Sequence, residues 1–205
     1  MFGATGRTGR HLLEQALAAG HDVTAFARDP GRVPVAHPRL SAVRGDVLRA
    51  ASVEGAVQGQ DAVLSALGTP ARRPLPVLSE GIRNVLDAME ARDVRRIVVL
   101  STAGAMHEDG GSLEGNLALG LGRRVLRGPF LEHARMLAEV GRRDADWIVV
   151  RAMLLTNGPR TGRYRVALEG VPHGGLRISR ADVADFMLTQ LASREYVRQM
   201  PAIAY

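Results

Sequence analysis

The chain has no cysteine and no lysine. Lacking cysteine, it can form no disulfide, no thiolate nucleophile and no cysteine-ligated zinc site. Lacking lysine, it can form no Schiff base and carries no phosphate-binding lysine of the Walker type. All 27 basic residues are arginine. Aromatic residues make up only 4%, too few for a base-stacking platform, and the arginines are scattered. The net charge of +6 therefore does not point to nucleic acid. No apolar run approaches the roughly 18 residues of a membrane helix. Arg7 and Arg10 follow a glycine loop with no long apolar stretch after them, so no secretory leader is expected. A monomeric cytoplasmic protein is the expectation. Hydrolase signatures fail too: Glu114 breaks the pattern begun by Gly110-x-Ser112, and His107-Glu108 lacks a second histidine.

What is present reads as one globular domain spanning 1–205. Hydrophobic residues make up 46% and charged residues 23%. Short apolar runs at 23–27, 40–43, 62–66, 97–100 and 147–150 predict strands of a sheet covered on both faces. Helical stripes lie between them: Leu12, Leu13, Ala16, Leu17; Leu78, Ile82, Val85, Leu86, Met89; and Phe130, Ala134, Leu137, Ala138. A last stripe, Val183, Phe186, Met187 and Leu191, follows Ser179 and Asp182, which are spaced as a capping pair. This alternation predicts an α/β fold with a doubly wound parallel sheet, a Rossmann fold. Residues 105–128 read as a long, partly mobile Gly- and Arg-rich insertion. With 152–180 they are expected to wall a substrate pocket. A glycine loop of this kind follows a central first strand, yet only Met1 and Phe2 precede Gly3. The first strand is expected to be largely missing, with translation starting upstream of Met1.

Gly3-Ala4-Thr5-Gly6-Arg7-Thr8-Gly9 lets the backbone turn tightly and come close to a pyrophosphate. The following helix offers the pyrophosphate its unpaired N–H groups. Thr5 and Thr8 add hydroxyl donors. A dinucleotide is the implied cofactor, and the residue after the 23–27 strand chooses which one. Where NAD enzymes place an acid, this chain has Arg28, with Arg32 four residues on. Both suit a 2′-phosphate and so NADP(H), although Asp29 can instead pair with Arg32. In Gly45-Asp46-Val47 the aspartate is placed to accept from the adenine amino group. In Leu67-Gly68-Thr69 a small residue lets the ribose pass. Ser101 ends the 97–100 strand and should point into the crevice beside the nicotinamide.

Taken in order, these residues resemble the atypical short-chain dehydrogenases. The likeness is to the flavin reductase (biliverdin IXβ reductase) branch, with the NmrA-like proteins nearby. It is carried by the glycine loop, Arg28-Asp29, Gly45-Asp46-Val47-Leu48, Gly59-Gln60-Asp61-Ala62-Val63 and Leu67-Gly68-Thr69. Further on come Ser79-Glu80-Gly81-Ile82-Arg83-Asn84, Glu132-His133-Ala134-Arg135-Met136, Thr161-Gly162-Arg163-Tyr164 and Ile178-Ser179-Arg180-Ala181-Asp182. The resemblance implies an NADPH-dependent oxidoreductase that passes hydride to a flavin, bilin or quinone-like acceptor. It makes Ser101 the hydroxyl at the nicotinamide and His133 the pocket histidine. A second pocket histidine of the family has no counterpart in Ala152-Met153-Leu154-Leu155. The Tyr-x-x-x-Lys pair of conventional short-chain dehydrogenases is missing as well, and His133 and Leu137 stand at the comparable helix positions. The alternative reading is an NmrA-type sensor that binds NADP(H) without turnover.

Overall fold

Period-two alternation of apolar side chains splits the central strands between two cores. In β4 (Arg96–Thr102), Ile97 and Val99 face one side, Val98 and Leu100 the other. In β5 (Asp146–Ala152), Trp147 and Val149 oppose Ile148 and Val150 in the same way. The computed structural model describes residues 1–68, 76–106, 110 and 112–205, without the side chains of Ala118 and Arg123. Thr69 and His107 lie outside the described residues.

Three further strands line up with these two. β1 (Val23–Ala27) pairs in parallel with β2 (Leu40–Arg44), and β3 (Ala62–Ser65) pairs in parallel with β4. β4 is parallel to β5 in turn. Helices α2 (Ala50–Val57), α3 (Ser79–Ala91) and α5 (Arg127–Gly141) cover the face holding Ile97 and Val99. Helices α1 (Arg7–Ala18) and α6 (Arg180–Thr189) pack against each other on the opposite side. The fold is the doubly wound α/β sheet that the alternation predicts.

The sheet extends further than the apolar runs foretell. The short strand β9 (Ala202–Ala204) adds in parallel to β5, and β7 (Arg165–Ala167) adds antiparallel to β9. A separate parallel pair joins β6 (Leu154–Thr156) to β8 (Arg177–Ser179). At three residues each, none of these shows a readable period. β2 is an edge strand with Ser41 and Ala42 exposed, so it is not covered on both faces as its apolar run suggests.

Among the described residues, Phe2 together with Met1 joins the two halves of the sheet. Phe2 bridges in parallel to Phe26 of β1 and to Ser65 of β3. Its N–H donates to Leu64 and its carbonyl accepts from Ala66, while the Met1 carbonyl accepts from Phe26. The Met1 amine donates to the Thr24 carbonyl at 2.6 Å. Burial pushes that amine's pKa down to about 5. Beyond Met1 the line of the central strand continues as a cavity of about 530 Å³ between β1 and β3, lined by Val23, Thr24, Leu64 and Arg96 among others. The first strand is reduced to two residues, as expected.

Residues 105–128 contain a regular helix, α4 (Leu113–Val125), with the Ser112 hydroxyl accepting from the Gly115 N–H as its cap. Glycines at 115, 120 and 122 hide its pattern in the sequence. Gly115 is needed for packing, since a Cβ there would lie 2.0 Å from the Gly110 carbonyl oxygen. Leu113, Leu117, Leu121 and Val125, spaced four apart, are all exposed.

Candidate active site

Two glycines shape the loop by close approach. Gly3 has φ +82°, and a Cβ on it would lie 2.4 Å from the Ala66 carbonyl oxygen. A Cβ on Gly9 would lie 1.9 Å from the Gly3 oxygen. The loop therefore rests directly on the end of β3 and on the first turn of α1. Gly6 is the N-cap of α1; it offers no side-chain cap, and the first turn carries no acid. Orphan N–H groups with a positive dipole end are left open there, the arrangement that suits a pyrophosphate. Thr5 is half-buried beside them, whereas Thr8 is buried in the loop's floor.

Arg28 and Arg32 are both exposed just past β1, and neither has an ion-pair partner among the described residues. Asp29 does not compete for Arg32. Its carboxylate accepts from the Gly31 N–H at 3.1 Å and caps the short turn Pro30–Arg32. Both guanidinium groups are thus open to an anion.

Asp46 uses one carboxylate oxygen on the Leu48 N–H. Val47 is buried, its side chain packed against Gly81 of α3 and its carbonyl accepting from Asn84. A ligand would meet Val47 through the backbone alone. Among the described residues nothing lies within 4 Å of a Cβ built on Gly68, and Leu67 beside it is half-buried. Gly loop, α1 N-terminus, exposed arginines and the Gly68 edge together fit a dinucleotide.

Ser101 shares the face of Ile97 and Val99 by strand parity, so its side chain turns toward α5. It is buried, and its Oγ lies 3.1 Å from His133 Nδ1. Burial pushes the imidazole pKa down to about 4, with the neighbouring Glu132 charge opposing the shift. The ring is neutral at pH 7. Glu132 turns the other way: it is buried, accepts from the Ser79 hydroxyl at 3.0 Å and pairs with Arg135 at 3.0 Å. That ties α5 to α3 and fixes the helix carrying His133.

Sequence reading missed two features of this edge. The Arg7 guanidinium leaves the loop to donate to Asn157 Oδ1 at 3.0 Å. Arg180, first residue of α6, donates to the same oxygen at 2.8 Å and to the Leu155 carbonyl. Nothing in the sequence marks Asn157. The other feature is Asp182, buried, which accepts from the Thr161 and Gly162 N–H groups, the Thr161 hydroxyl and the Tyr205 hydroxyl. Burial raises its pKa, but these donors outweigh that and hold the carboxyl below its usual range. Its own N–H donates to Ser179, so the expected capping pair is present.

Among the described residues, no group of histidine and carboxylate side chains could hold a metal ion, and no helix is long and apolar enough to cross a membrane. A family model described as NAD(P)H-binding matches residues 3–194. Cinnamoyl-CoA reductase 1 of Oryza sativa is 37% identical over 115 residues, which cover 51% of this chain and 34% of that protein. The chain thus spans about a third of that relative's length. An uncharacterized chloroplastic protein of Arabidopsis thaliana is 30% identical over 212 residues, covering 94% of this chain and 71% of its own. Among solved structures, ChuY of Escherichia coli O157:H7 superposes with a TM-score of 0.78 at 22% identity, covering 99% of this chain and 94% of that one, a likeness of fold.

Proposed function

Since the chain belongs to the NAD(P)H-binding family and shares its fold with ChuY, we propose that it is an NADPH-dependent reductase. Its acceptor is a flavin or a similarly conjugated ring system. The observation that carries this is the pairing of Ser101 with a neutral, half-buried His133 at the carboxyl edge of the sheet, in a chain with no lysine. A carbonyl reductase must protonate an alkoxide as it forms. An imidazole whose pKa is near 4 is not charged at pH 7, and its remaining neutral N–H is a weak acid for that task. A conjugated acceptor spreads the incoming charge over its rings and takes its proton from water, so positioning supplies most of the acceleration. The fold likeness to ChuY, an anaerobillin reductase, supports the same acceptor class.

Bound NADPH supplies the hydride. The residues that hold it in this proposal are Gly3, Thr5, Gly6 and the backbone N–H groups of Arg7 and Thr8 at the pyrophosphate, with Arg28 and Arg32 at the 2′-phosphate. Asp46, Val47, Leu67 and Gly68 lie along the adenosine half. Ser101, kept in one rotamer by His133, contacts the nicotinamide carboxamide or ribose. In either tautomer of the ring the two side chains share one hydrogen bond, so the serine hydroxyl is fixed before ligand arrives. The described residues of 105–128 and residues 152–180 wall the acceptor pocket in this proposal.

The test is NADPH oxidation with free flavin, followed at 340 nm. Steady oxidation that rises with flavin concentration supports the reductase. Tight NADPH binding with no turnover on any flavin, bilin or quinone replaces it with a dinucleotide sensor.

A further inference from the structure

Arg7 and Arg180 come from the first turns of two different helices and point at one neutral atom. Both donate within 3.0 Å to the side-chain oxygen of Asn157, which is exposed. No carboxylate is among the groups that act on Arg180: burial first, then the charge of Arg7, holds its pKa below the usual value. Two guanidinium groups facing one amide oxygen repel each other, and an anion with two or three oxygens would satisfy both forks at once.

We propose that Arg7, Arg180 and Asn157 form a subsite for an acidic group of the acceptor, a phosphate monoester or carboxylate. This rests on the reductase reading. Position favours the acceptor over the cofactor. Asn157 follows β6, which begins two residues after Ala152, and Ala152 is paired with Thr102 next to Ser101. Arg180 opens α6, on the sheet face opposite the α5 helix that carries His133. A ring stacked beside Ser101 would have His133 on one side and this arginine pair on the other. The dinucleotide's own phosphates are served by the N–H groups at the start of α1, from which the Arg7 side chain turns away toward Asn157.

FMN and riboflavin share one ring system and differ by a phosphate, which makes them the probes. Their binding to the NADP⁺-saturated protein is read by quenching of flavin fluorescence. The wild type is expected to bind FMN about tenfold or more tighter than riboflavin, the value of one charge-assisted contact. Arg180→Met should abolish that preference by weakening FMN alone, and added salt should erode it. Arg7→Met, at an exposed side chain with no contact to the core, repeats the test should Arg180→Met lose stability. Equal affinities in the wild type, or no binding of either flavin, would overturn the subsite. So would variants that weaken NADP⁺ while the flavin ratio stays fixed, because the pair would then belong to the cofactor. Because the readout is binding, a clear FMN preference without turnover would sink the reductase reading and leave the subsite standing.

Discussion

Ser101 Oγ and His133 Nδ1 lie 3.1 Å apart, one on the last turn of sheet before the crevice and the other on a helix 32 residues further along the chain. The serine is held rather than activated. Serine's own pKa is far above neutrality, and the imidazole beside it carries no charge at pH 7.

That arrangement ranks two variants. His133→Ala should slow flavin reduction less than about tenfold, below the roughly hundredfold or more that a general acid contributes. Ser101→Val removes the hydroxyl, crowds the crevice and should cost more. Single-turnover NADPH oxidation at saturating flavin decides, with deuterated NADPH confirming that hydride transfer is being observed. A thousandfold loss in His133→Ala with normal cofactor binding would make the histidine the acid.

The pH dependence carries a definite sign. His133 is neutral in the fold down to about pH 4, whereas the unfolded ring takes up its proton near 6.5. The unfolded state therefore binds more protons between those values, and stability falls as pH drops from about 6.5 to about 4. Urea titrations across that range should show the loss, and His133→Gln should flatten part of it. The turnover profile should show no limb from this histidine between pH 5 and 8.

Cofactor preference rests on Arg28 with help from Arg32. Removing a charge-assisted phosphate contact from these exposed arginines costs about 1.5–3 kcal/mol, roughly tenfold to a hundredfold. Arg28→Ala should weaken NADPH by that factor and leave NADH nearly unchanged. Equal losses for both dinucleotides would show that the arginine stacks on adenine and does not read the phosphate.

The cavity behind Met1 predicts a gain. Thr24 and Leu64 turn their backbone groups toward the Met1–Phe2 segment, and strand alternation puts their N–H groups on the same side, facing the cavity. Folding at pH 7 also has to strip a proton from an amine of ordinary pKa 8.0, at a cost of about 1.4 kcal/mol. A chain lengthened before Met1 by four alternating β-branched residues should lose that cost, pair both edges and melt higher by about 5 °C or more. An unchanged melting temperature would mean that the added residues do not enter the slot.

The order of strands and helices was legible because each central strand is a continuous apolar run between amphipathic stripes, and the glycine loop was legible because only glycine fits at Gly3 and Gly9. Capping by Ser179 and Asp182 was readable from spacing alone. Helix α4 was not, since Gly115, Gly120 and Gly122 imitate a loop while Leu113, Leu117 and Leu121 keep helical spacing on an exposed face. Nor was the meeting of Arg7, Asn157 and Arg180, which depends on how α1 packs against α6 and leaves no local pattern.

The buried Met1 amine has a practical consequence. In a chain that begins at Met1 it is the one primary amine, because every other basic side chain is a guanidinium or an imidazole. Reagents that acylate amines, from fluorescent esters to isotopic mass tags, find one target, and in the folded protein it is hydrogen-bonded to Thr24 inside the sheet. Acylation should wait for the central strand to open. A single modification, counted by intact mass, would then time the separation of the sheet's two halves.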